Sequence, residues 1–505
     1  MFQVAELGRK TSKREYKERS ESLRQELLYL QRRLQESGDC QVIVDFAGVD
    51  GAGKGASIQK LASWMDPRFL IAYAWGPASD EERERPEFWR FWMQLPPRGR
   101  IGLFARGRYS RPFLQRAYGN ISEAEYDAEL DRILGFENDL AEDGALIIKF
   151  WMHLSRDAQE RRLTALQNDP LTKWQVKDID WEHWRIYDQF VAAAERTITR
   201  TSTGKAPWIL VEGEDENFRS LEVGSALAHH LREHLAAKGI ALDSEGESPP
   251  APQPEEDYLP PRPDGLVTVL SRMDTSKRLG KSDYKKKMKK YQADLHLLQR
   301  KALKKGVSSV IVFEGMDAAG KGGAIRRIVA PLDPRIYRIV PIAAPTDEER
   351  AQHYLWRFWR HMSRAGRITI YDRSWYGRVL VERIEKFASR DEWKRAYAEI
   401  NDFEQRLVDH GIVLTKFWIQ ITPDEQFERF AARAVSPLKR WKLTEEDWRN
   451  RQKWYDYERA AHDMIARTDT FHAPWVLVEG NDKPFARVKV IKTLCTRLAN
   501  RLDNG

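Results

Sequence analysis

The feature that most constrains the fold is an internal repeat with a constant offset. Residues 49–56 read VDGAGKGA and residues 316–323 read MDAAGKGG, an offset of 267 positions (316 − 49 = 267). Because chance does not hold one register across a whole domain, the chain is predicted to be a tandem duplication. The same offset relates three further pairs: KFW at 149–151 and 416–418, PW at 207–208 and 474–475, and VEG at 211–213 and 478–480.

A proline-rich, acidic segment separates the two copies. Residues 241–265 read ALDSEGESPPAPQPEEDYLPPRPDG and show little apolar periodicity. Such a segment buries too little surface to fold, and its prolines make it a semi-extended spacer. The 505-residue chain is therefore predicted to contain an N-terminal domain at 1–240, a linker at 241–265 and a C-terminal domain at 266–505.

Composition and charge narrow the class of protein. Hydrophobic residues make up 42% of the chain and charged residues 32%, which is normal for a globular protein. No apolar run approaches the ~20 residues of a membrane helix. The N-terminus lacks the apolar core of a secretion signal, and the chain has 2 cysteines. We therefore expect a cytoplasmic protein without a membrane partner.

The net charge of +8 favours a polyanionic partner. Nucleic acid, acidic lipid and a phosphate polymer all fit that charge. The basic and aromatic residues form no recognised RNA- or DNA-binding module, so no nucleic-acid partner is expected. A homo-oligomer is compatible with the sequence, although an internal duplication can also replace a dimer of single domains.

Residues 307–321 combine a strand, a glycine loop and the start of a helix. The run VSSVIVFE is typical of a buried parallel strand, GMDAAGK follows it, and the next residues have helical spacing. In that order the loop N–H groups and Lys321 can surround phosphate oxygens, which predicts an α/β P-loop domain rather than a structural glycine turn. The loop residues predicted to contact phosphate, besides Lys321, are Gly315, Ala318, Ala319, Gly320 and Gly322.

Two carboxylates are candidates for a metal site. The Ser or Thr that usually follows the P-loop lysine and holds Mg²⁺ is Gly322 here, so Asp317, inside the loop, is the first candidate ligand. Asp372 ends a second apolar strand, as a metal-binding carboxylate of a P-loop enzyme does, and Arg373 beside it can offset phosphoryl charge. The alternatives are a turn-capping role for Asp317 and a surface ion pair between Asp372 and Arg373.

A basic helix further along the chain is typical of a lid. Arg429 and Arg433 are four residues apart and lie on one helix face, and PLKRWK, which includes Lys439, follows at 437–442. Such segments close over phosphates in P-loop kinases. A solvated basic helix is the alternative.

Together these motifs resemble the second polyphosphate kinase family over residues 270–500. The resemblance is carried by FEGMDAAGKGG at 313–323, YDRSWYGRVLVE at 371–382, LTKFW at 414–418 and RWK at 440–442. It implies a thymidylate-kinase-like fold, with a parallel sheet flanked by helices and a helical lid, and Mg²⁺ as cofactor. It also implies phosphoryl transfer between inorganic polyphosphate and nucleotides. The tandem form and the sequence YGRVLVER resemble the branch that makes ADP from AMP.

The resemblance also implies roles for individual residues. Asp317 and Asp372 would hold Mg²⁺, while Lys321 and Arg373 would bridge the donor and acceptor phosphates. The remaining residues implied to bind phosphate or nucleotide are Arg378, Glu382, Lys416, Arg429, Arg433 and Lys439. Competing interpretations are a polyphosphate-dependent ADP or GDP kinase, a kinase that uses a nucleoside triphosphate, and a P-loop protein that senses its ligand without turnover.

The offset predicts that the first copy is catalytically impaired. It retains the loop residues Gly48, Asp50, Gly53 and Lys54, together with Arg106, the counterpart of Arg373. The carboxylate of Asp372 is lost, because the equivalent residue is Ala105 (372 − 267 = 105). A P-loop without its metal carboxylate can still bind anions, so we expect the first copy to bind polyphosphate or to have an architectural role. Further losses are Glu314 to Ala47, Ser374 and Trp375 to Gly107 and Arg108, and Arg433 to Leu166.

Overall fold

The computed structural model describes residues 1–169, 172–242, 259–436 and 443–503. The chain divides into two compact units, Met1–Ser244 and Glu245–Gly505. Most of the predicted linker, residues 243–258, lies outside the described residues. Each unit contains one five-stranded sheet in which the neighbouring strands are parallel. The predicted α/β fold is thus confirmed in both halves.

The first unit has the strand order β2-β3-β1-β4-β5. Its strands are β1 (Val42–Gly48), β2 (Leu70–Ala74), β3 (Ile101–Ala105), β4 (Leu146–His153) and β5 (Trp208–Glu212). Its helices are α1 (Lys13–Ser37), α2 (Lys54–Trp64), α3 (Asp80–Glu84), α4 (Trp89–Trp92), α5 (Ser110–Ala117), α6 (Glu123–Glu142), α7 (Arg156–Asn168), α8 (Asp178–Arg185), α9 (Tyr187–Thr201) and α10 (Glu216–Ala237). Short 3-10 turns lie at Phe2–Ala5, Pro67–Phe69 and Lys173–Gln175.

The second unit repeats this arrangement with the order β10-β9-β6-β8-β7. Its strands are β6 (Ser309–Gly315), β7 (Tyr337–Pro341), β8 (Ile368–Asp372), β9 (Val413–Gln420) and β10 (Trp475–Glu479). Its helices are α11 (Lys281–Lys305), α12 (Lys321–Val329), α13 (Asp347–Arg350), α14 (Trp356–Trp359), α15 (Val381–Ile384), α16 (Arg390–Asp409), α17 (Pro423–Ala434), α18 (Glu445–Gln452), α19 (Trp454–Thr468) and α20 (Lys483–Asp503). Short 3-10 turns lie at Pro334–Ile336 and Trp375–Val379.

Local sequence signals explain many of these boundaries. Helix α16 starts with a capping box in which Ser389 and Glu392 satisfy each other's backbone N–H groups, and α6 starts with the same device at the equivalent positions. Helix α11 ends at Gly306, whose φ of 71° is the left-handed conformation that glycine adopts without strain.

The strand register brings the functional segments to one edge of the sheet. In the second unit Phe313 lies opposite Asp372 on β8 and opposite Phe417 on β9. Since the strands are parallel, the P-loop after β6 and Asp372 at the end of β8 meet at the carboxyl edge, where open α/β sheets bind their ligands. The first unit has the same register, with Phe46 opposite Ala105 and opposite Phe150.

The two copies differ most in the segment after β3 and β8. The first copy forms the continuous helix α5, whereas the second forms a 3-10 turn at Trp375–Val379 followed by α15. Ser374 caps that turn, because its Oγ accepts a hydrogen bond from the Tyr376 N–H over 3.3 Å. The equivalent residue in the first copy, Gly107, has no side chain to do this. No helix in the described ranges is long and apolar enough to cross a bilayer.

Candidate active site

The P-loop of the second half is held in shape by its backbone and by Lys321. Gly315 has a φ of 143°, and a Cβ atom there would lie 2.4 Å from the carbonyl oxygen of Ile419, so only glycine fits. Lys321 begins α12, and its Nζ donates hydrogen bonds to Gly315 O over 2.6 Å and to Met316 O over 3.2 Å. The loop therefore presents the N-terminus of α12 and one mobile cation at the sheet edge.

Asp317 is held between two donors from distant parts of the chain. Its Oδ1 accepts a hydrogen bond from Arg373 Nη2 over 3.1 Å, and its Oδ2 accepts one from Asn450 Nδ2 over 2.8 Å. Burial alone would raise the pKa of Asp317, but the charges of Arg373 and Lys321 and the hydrogen bond from Asn450 outweigh it and hold the pKa below its usual range. The carboxylate is thus ionised and fixed in orientation.

Asn450 is a site residue that sequence reasoning missed. It lies on α18, 133 residues from Asp317, and no motif marks it. The offset contained a signal, because its counterpart is His183, whose Nδ1 lies 2.6 Å from Oδ2 of Asp50 in the first half. The same repeat position thus carries a polar residue in both copies, and in both copies that residue contacts the aspartate of the P-loop. This recurrence indicates that the position helps to orient the aspartate.

Arg373 has a strained backbone that both copies retain. Its φ is 66°, and that of its counterpart Arg106 is 54°. A left-handed conformation at a residue other than glycine costs about 1–2 kcal/mol and persists where the surroundings require it. Here the Arg373 N–H donates to Phe313 O over 3.1 Å, which anchors the residue beside the P-loop strand. The guanidinium is thereby directed toward Asp317.

Two further carboxylates lie near the loop. Asp372 is 8% exposed, and its charge acts on Lys321 and Arg373. Glu314 is buried and accepts a hydrogen bond from Ser374 Oγ over 2.8 Å. Burial raises the pKa of Glu314, although the bond from Ser374 and the charge of Lys321 oppose the shift. Among the described residues no three His, Cys, Asp or Glu side chains form a ready-made metal cluster.

Arg429 has a different role from the one predicted. The prediction that it binds phosphate directly is wrong for this structure, because acceptors within the protein engage all of its nitrogens. Arg429 therefore fastens the P-loop to α17 and to the loop after β10. Its Nε donates to Glu425 Oε1 (2.6 Å), its Nη1 donates to Ala318 O (2.8 Å) and Ala319 O (2.9 Å), and its Nη2 donates to Gly480 O (2.6 Å) and Asn481 O (3.0 Å).

The predicted phosphate contact of Lys416 is also wrong. Its side chain is 0% exposed on β9, which lies between β10 and β6, and its Nζ donates to Glu404 Oε2 over 2.7 Å, to Thr468 O over 2.8 Å and to Tyr376 Oη over 2.9 Å. An ammonium group has three N–H donors, so none remains for a ligand. The KFW motif marks a buried ion pair, and Lys149 makes the same three contacts in the first half.

The remaining predicted residues in the described part of the chain contact neighbouring side chains. Arg378 Nε lies 3.0 Å from Glu382 Oε2, and its guanidinium lies 4.5 Å from the ring centre of Tyr354. Arg433 is half-buried, with its guanidinium 5.8 Å from the ring of Phe430. Nucleotide or phosphate binding by these residues stays a prediction. Lys439 lies outside the described residues.

The losses in the first half are coupled substitutions. The hydrogen-bonded pair Glu314 and Ser374 is replaced as a unit by Ala47 and Gly107. The replacement of Trp375 by Arg108 is compensated, because Arg108 Nη2 lies 2.8 Å from Oδ2 of Asp45, where the second half has Val312.

A tryptophan from another position fills the space that Trp375 occupies in the second half. Trp375 lies 5.6 Å from the ring of Phe358 and 5.4 Å from that of Tyr371. Trp75, whose counterpart in the second half is Ile342, lies 4.9 Å and 5.2 Å from the equivalent rings in the first half, those of Phe91 and Phe104. The first half therefore keeps a packed core without the counterparts of Glu314 and Asp372.

This fold and this site define a P-loop phosphotransferase. The chain belongs to the polyphosphate kinase 2 family, whose model matches residues 10–239 and 278–504, so the predicted family is confirmed. It is 48% identical to a polyphosphate:AMP phosphotransferase of Pseudomonas aeruginosa over 98% of both chains. It is 37% identical to a protein of the same name from Acinetobacter johnsonii over 92% of both chains. A solved structure of a putative polyphosphate kinase 2 from Pseudomonas aeruginosa shares 45% identity over 100% of both chains, with a TM-score of 0.47.

Proposed function

We propose that the second half of this chain transfers a phosphoryl group from inorganic polyphosphate to AMP and releases ADP and a shortened chain. The observation that carries the proposal is the group formed by Asp317, Lys321, Asp372 and Arg373 at one sheet edge. Relatives that match nearly the whole chain are named for this reaction, which supports AMP as the acceptor. The incomplete first half leaves one catalytic site per chain.

The chemistry follows from the charge of the two substrates. A non-bridging oxygen of the AMP phosphate attacks the terminal phosphorus of polyphosphate, and the anhydride bond to the next phosphate breaks, so the leaving chain keeps the electron pair. The attacking oxygen is already anionic, so the step needs no strong general base. The residues must instead hold two polyanions in line and offset their repulsion. Lys321 and Arg373 supply this charge from positions fixed by the P-loop and by Asp317.

Mg²⁺ fits the donor set, and we propose Asp317 and Asp372 as its protein ligands. Both carboxylates lie at the edge where phosphates would bind, and Mg²⁺ prefers sites with one or two carboxylates completed by water and phosphate oxygens. When bound, the ion would supply charge that offsets the phosphate oxygens. Glu314 is a weaker candidate because burial raises its pKa and because its Oε1 already accepts a hydrogen bond from Ser374 Oγ.

A donor and acceptor matrix tests the proposal. Purified protein is assayed for nucleotide product with polyphosphate or ATP as the sole donor and with AMP, ADP or GDP as the acceptor. We expect ADP from AMP and polyphosphate to form fastest. Faster use of ADP or GDP would favour the diphosphate-kinase alternative, and faster use of ATP would refute polyphosphate as the donor.

We also propose that the protein acts in the cytoplasm. Both cysteines, Cys40 and Cys495, are free and buried, which suits a reducing compartment. Fractionation of the native cells with an antibody against the chain tests this placement, and recovery from the extracellular fraction would contradict it.

A further inference from the structure

We propose that the P-loop of the first half, residues 48–54, is a second binding site that takes a condensed phosphate chain without a metal ion. The proposal rests on the proposed function only for the choice of a phosphate chain as the ligand. The loop itself is intact: a Cβ atom on Gly48 would lie 2.0 Å from Met152 O, so the same close backbone approach is preserved. Lys54 Nζ donates to Gly48 O over 2.7 Å and to Val49 O over 2.8 Å, as Lys321 does in its own loop.

The charge around this loop is more positive than in the catalytic half. The positions of Glu314 and Asp372 are occupied by Ala47 and Ala105, so two carboxylates are missing. The cations Lys54 and Arg106 are retained. Of the three carboxylates Glu314, Asp317 and Asp372, the first half therefore keeps one, as Asp50, whereas Asp180 and its counterpart Asp447 are present in both halves. Phosphate groups then need no metal ion to offset carboxylate charge.

The one remaining loop carboxylate, Asp50, is already neutralised by protein groups. Lys54 Nζ lies 3.6 Å from its Oδ1, and His183 Nδ1 lies 2.6 Å from its Oδ2. Burial would raise the pKa of Asp50, but the charge of Lys54 and the contact with His183 lower it to about 2. Because the counterpart of Asp372 is Ala105, this half lacks the acid pair proposed to hold Mg²⁺.

A buried arginine with an unmatched charge supports an anion at this loop. Arg219 is 2% exposed, its Nη1 donates to Gly213 O over 2.6 Å, and its Nε has no hydrogen-bond partner. A Cβ atom on Gly53, the residue before Lys54, would lie 2.5 Å from the Arg219 Cζ, so the guanidinium packs directly against the loop. No carboxylate among the described residues forms an ion pair with it, although the charges of Asp215 and Glu216 act on it, and a buried charge without an ion pair is unfavourable. An anion in the loop would offset it.

The counterpart of Arg219 in the catalytic half is Ala486, and the next residue, Arg487, packs against Gly323 rather than against Gly320, the counterpart of Gly53. In the catalytic half the arginine that donates hydrogen bonds to the P-loop carbonyls is Arg429. It lies on a different helix and pairs with Glu425 over 2.6 Å. The first half thus has a buried arginine without an ion-pair partner against its loop, and it lacks two carboxylates that the catalytic half has nearby. Both changes favour anion binding over metal-dependent transfer.

Calorimetric titration of the full chain with tripolyphosphate tests the proposal. In the presence of EDTA we expect one binding site per chain, which Lys54→Ala removes and the matched variant Lys321→Ala leaves in place. If Lys54→Ala lowers the melting temperature, Arg106→Ala serves as a second variant. We expect it to weaken tripolyphosphate binding. Thermal melts of each variant show whether the fold is retained.

Replacing the loop aspartate by asparagine is expected to have different effects in the two halves. In EDTA, Asp50→Asn should tighten tripolyphosphate binding about fivefold, because it removes a negative charge that repels the phosphate, and a unit charge roughly 4 Å away is worth about 1 kcal/mol in water. Asp317→Asn should leave this binding unchanged but abolish the additional site that appears with Mg²⁺. Weaker binding by Asp50→Asn would overturn the proposal.

Two other results would also overturn it. The first is an absence of tripolyphosphate binding in EDTA, or binding that Lys54→Ala does not affect. The second is displacement of tripolyphosphate by ADP at equal affinity, which would identify the ligand as the diphosphate of a nucleotide. All these readouts measure binding without turnover, so they are independent of whether the chain forms ADP from AMP.

Discussion

Asn450 Nδ2 donates a hydrogen bond to Asp317 Oδ2 over 2.8 Å, which joins helix α18 to the catalytic P-loop through one carboxylate. Residues 437–442, the basic segment predicted to close over phosphates, lie between α17 and α18 in the sequence. The helix after the predicted lid and the proposed metal ligand are therefore mechanically connected. The connection can be broken at Asn450 without touching the carboxylate itself.

Asn450→Ala is expected to reduce kcat by about 10- to 100-fold with a smaller effect on the KM for AMP. A hydrogen bond to a charged group contributes about 1.5–3 kcal/mol, and its loss leaves Asp317 oriented by Arg373 alone. Steady-state kinetics at several Mg²⁺ concentrations measure the effect. Asn450→His, which copies the first half, should retain more activity than the alanine variant. Equal kinetics for wild type and Asn450→Ala would remove Asn450 from the site.

Asp372→Ala is expected to abolish ADP formation, whereas Lys54→Ala leaves most of it at saturating polyphosphate. Loss of a group that holds charge in the transition state lowers kcat by about 100- to 1,000-fold or more, whereas Lys54 belongs to the half that lacks the second carboxylate. ADP formation from AMP, measured at matched protein concentrations, tests the contrast. Equal losses in both variants would contradict a single catalytic half.

The pair formed by Asp45 and Arg108 in the first half is expected to show strong coupling. Asp45→Val alone leaves a buried guanidinium with one partner fewer and should destabilise that half by about 3 kcal/mol. The double variant Asp45→Val and Arg108→Met removes both charges and should recover most of this loss. Urea unfolding of the two single variants and the double variant gives the coupling energy. Additive losses would mean that the two residues act independently.

Lys416→Met is expected to lower stability without changing phosphate affinity. Removing one partner of a buried ion pair costs about 3–5 kcal/mol, because Glu404 is left uncompensated in the core. The matched variant Lys149→Met should destabilise the first half to a similar extent. Thermal melts and the KM for polyphosphate separate the two effects. A raised KM with an unchanged melting temperature would restore Lys416 as a ligand.

Asp447 is expected to make the second half less stable as the pH rises from about 4 to about 6. Burial and the charge of Asp317 raise its pKa from 3.8 to about 6, so the folded state binds the proton more tightly than the unfolded chain does. The stabilising effect of that proton is complete below the unfolded pKa, declines as the pH rises from there, and is lost once the pH has passed the folded pKa. Asp447→Asn can still accept the hydrogen bond from the Thr444 N–H, which is 2.8 Å in the wild type.

The comparison of wild type and Asp447→Asn isolates this group. We expect the variant to be more stable at pH 7 by about 1–3 kcal/mol and the advantage to shrink toward pH 4. Melting temperatures at pH 4.5, 5.5 and 7 measure the difference. A difference that does not change with pH would contradict the raised pKa.

Local patterns in the sequence were sufficient to predict the architecture of the two halves. In all five pairs of equivalent strands, the first residues and the last residues are each 267 positions apart. An example is β1 (Val42–Gly48) and β6 (Ser309–Gly315). Strand, glycine loop and lysine are contiguous, so their chemistry could be read without a structure. Asp372 was predicted for the same reason, because it ends an apolar run and its loss in the first copy is visible at Ala105.

The structure corrected the predictions that depended on long-range contacts. Lys416 and Arg429 have the charge of phosphate ligands, but their nitrogens are engaged by acceptors that come from other elements. Asn450 and the pair of Glu314 and Ser374 were missed for the converse reason. Their partners are 133 and 60 residues away, respectively, in the chain.

The sequence by itself determined that the chain is a duplicated P-loop protein and that one copy has lost a carboxylate, because repeats, strand patterns and glycine loops are local and directly legible. Only the tertiary structure decided which cations remain available to an anion. That outcome depends on where each side chain finds its hydrogen-bond partners, and in this fold the partners lie on strands and helices that are distant in sequence. Lys416 and Lys321 are the same type of residue in the sequence. In the structure the ammonium group of Lys416 is paired inside the core, whereas that of Lys321 lies in the P-loop at the candidate site.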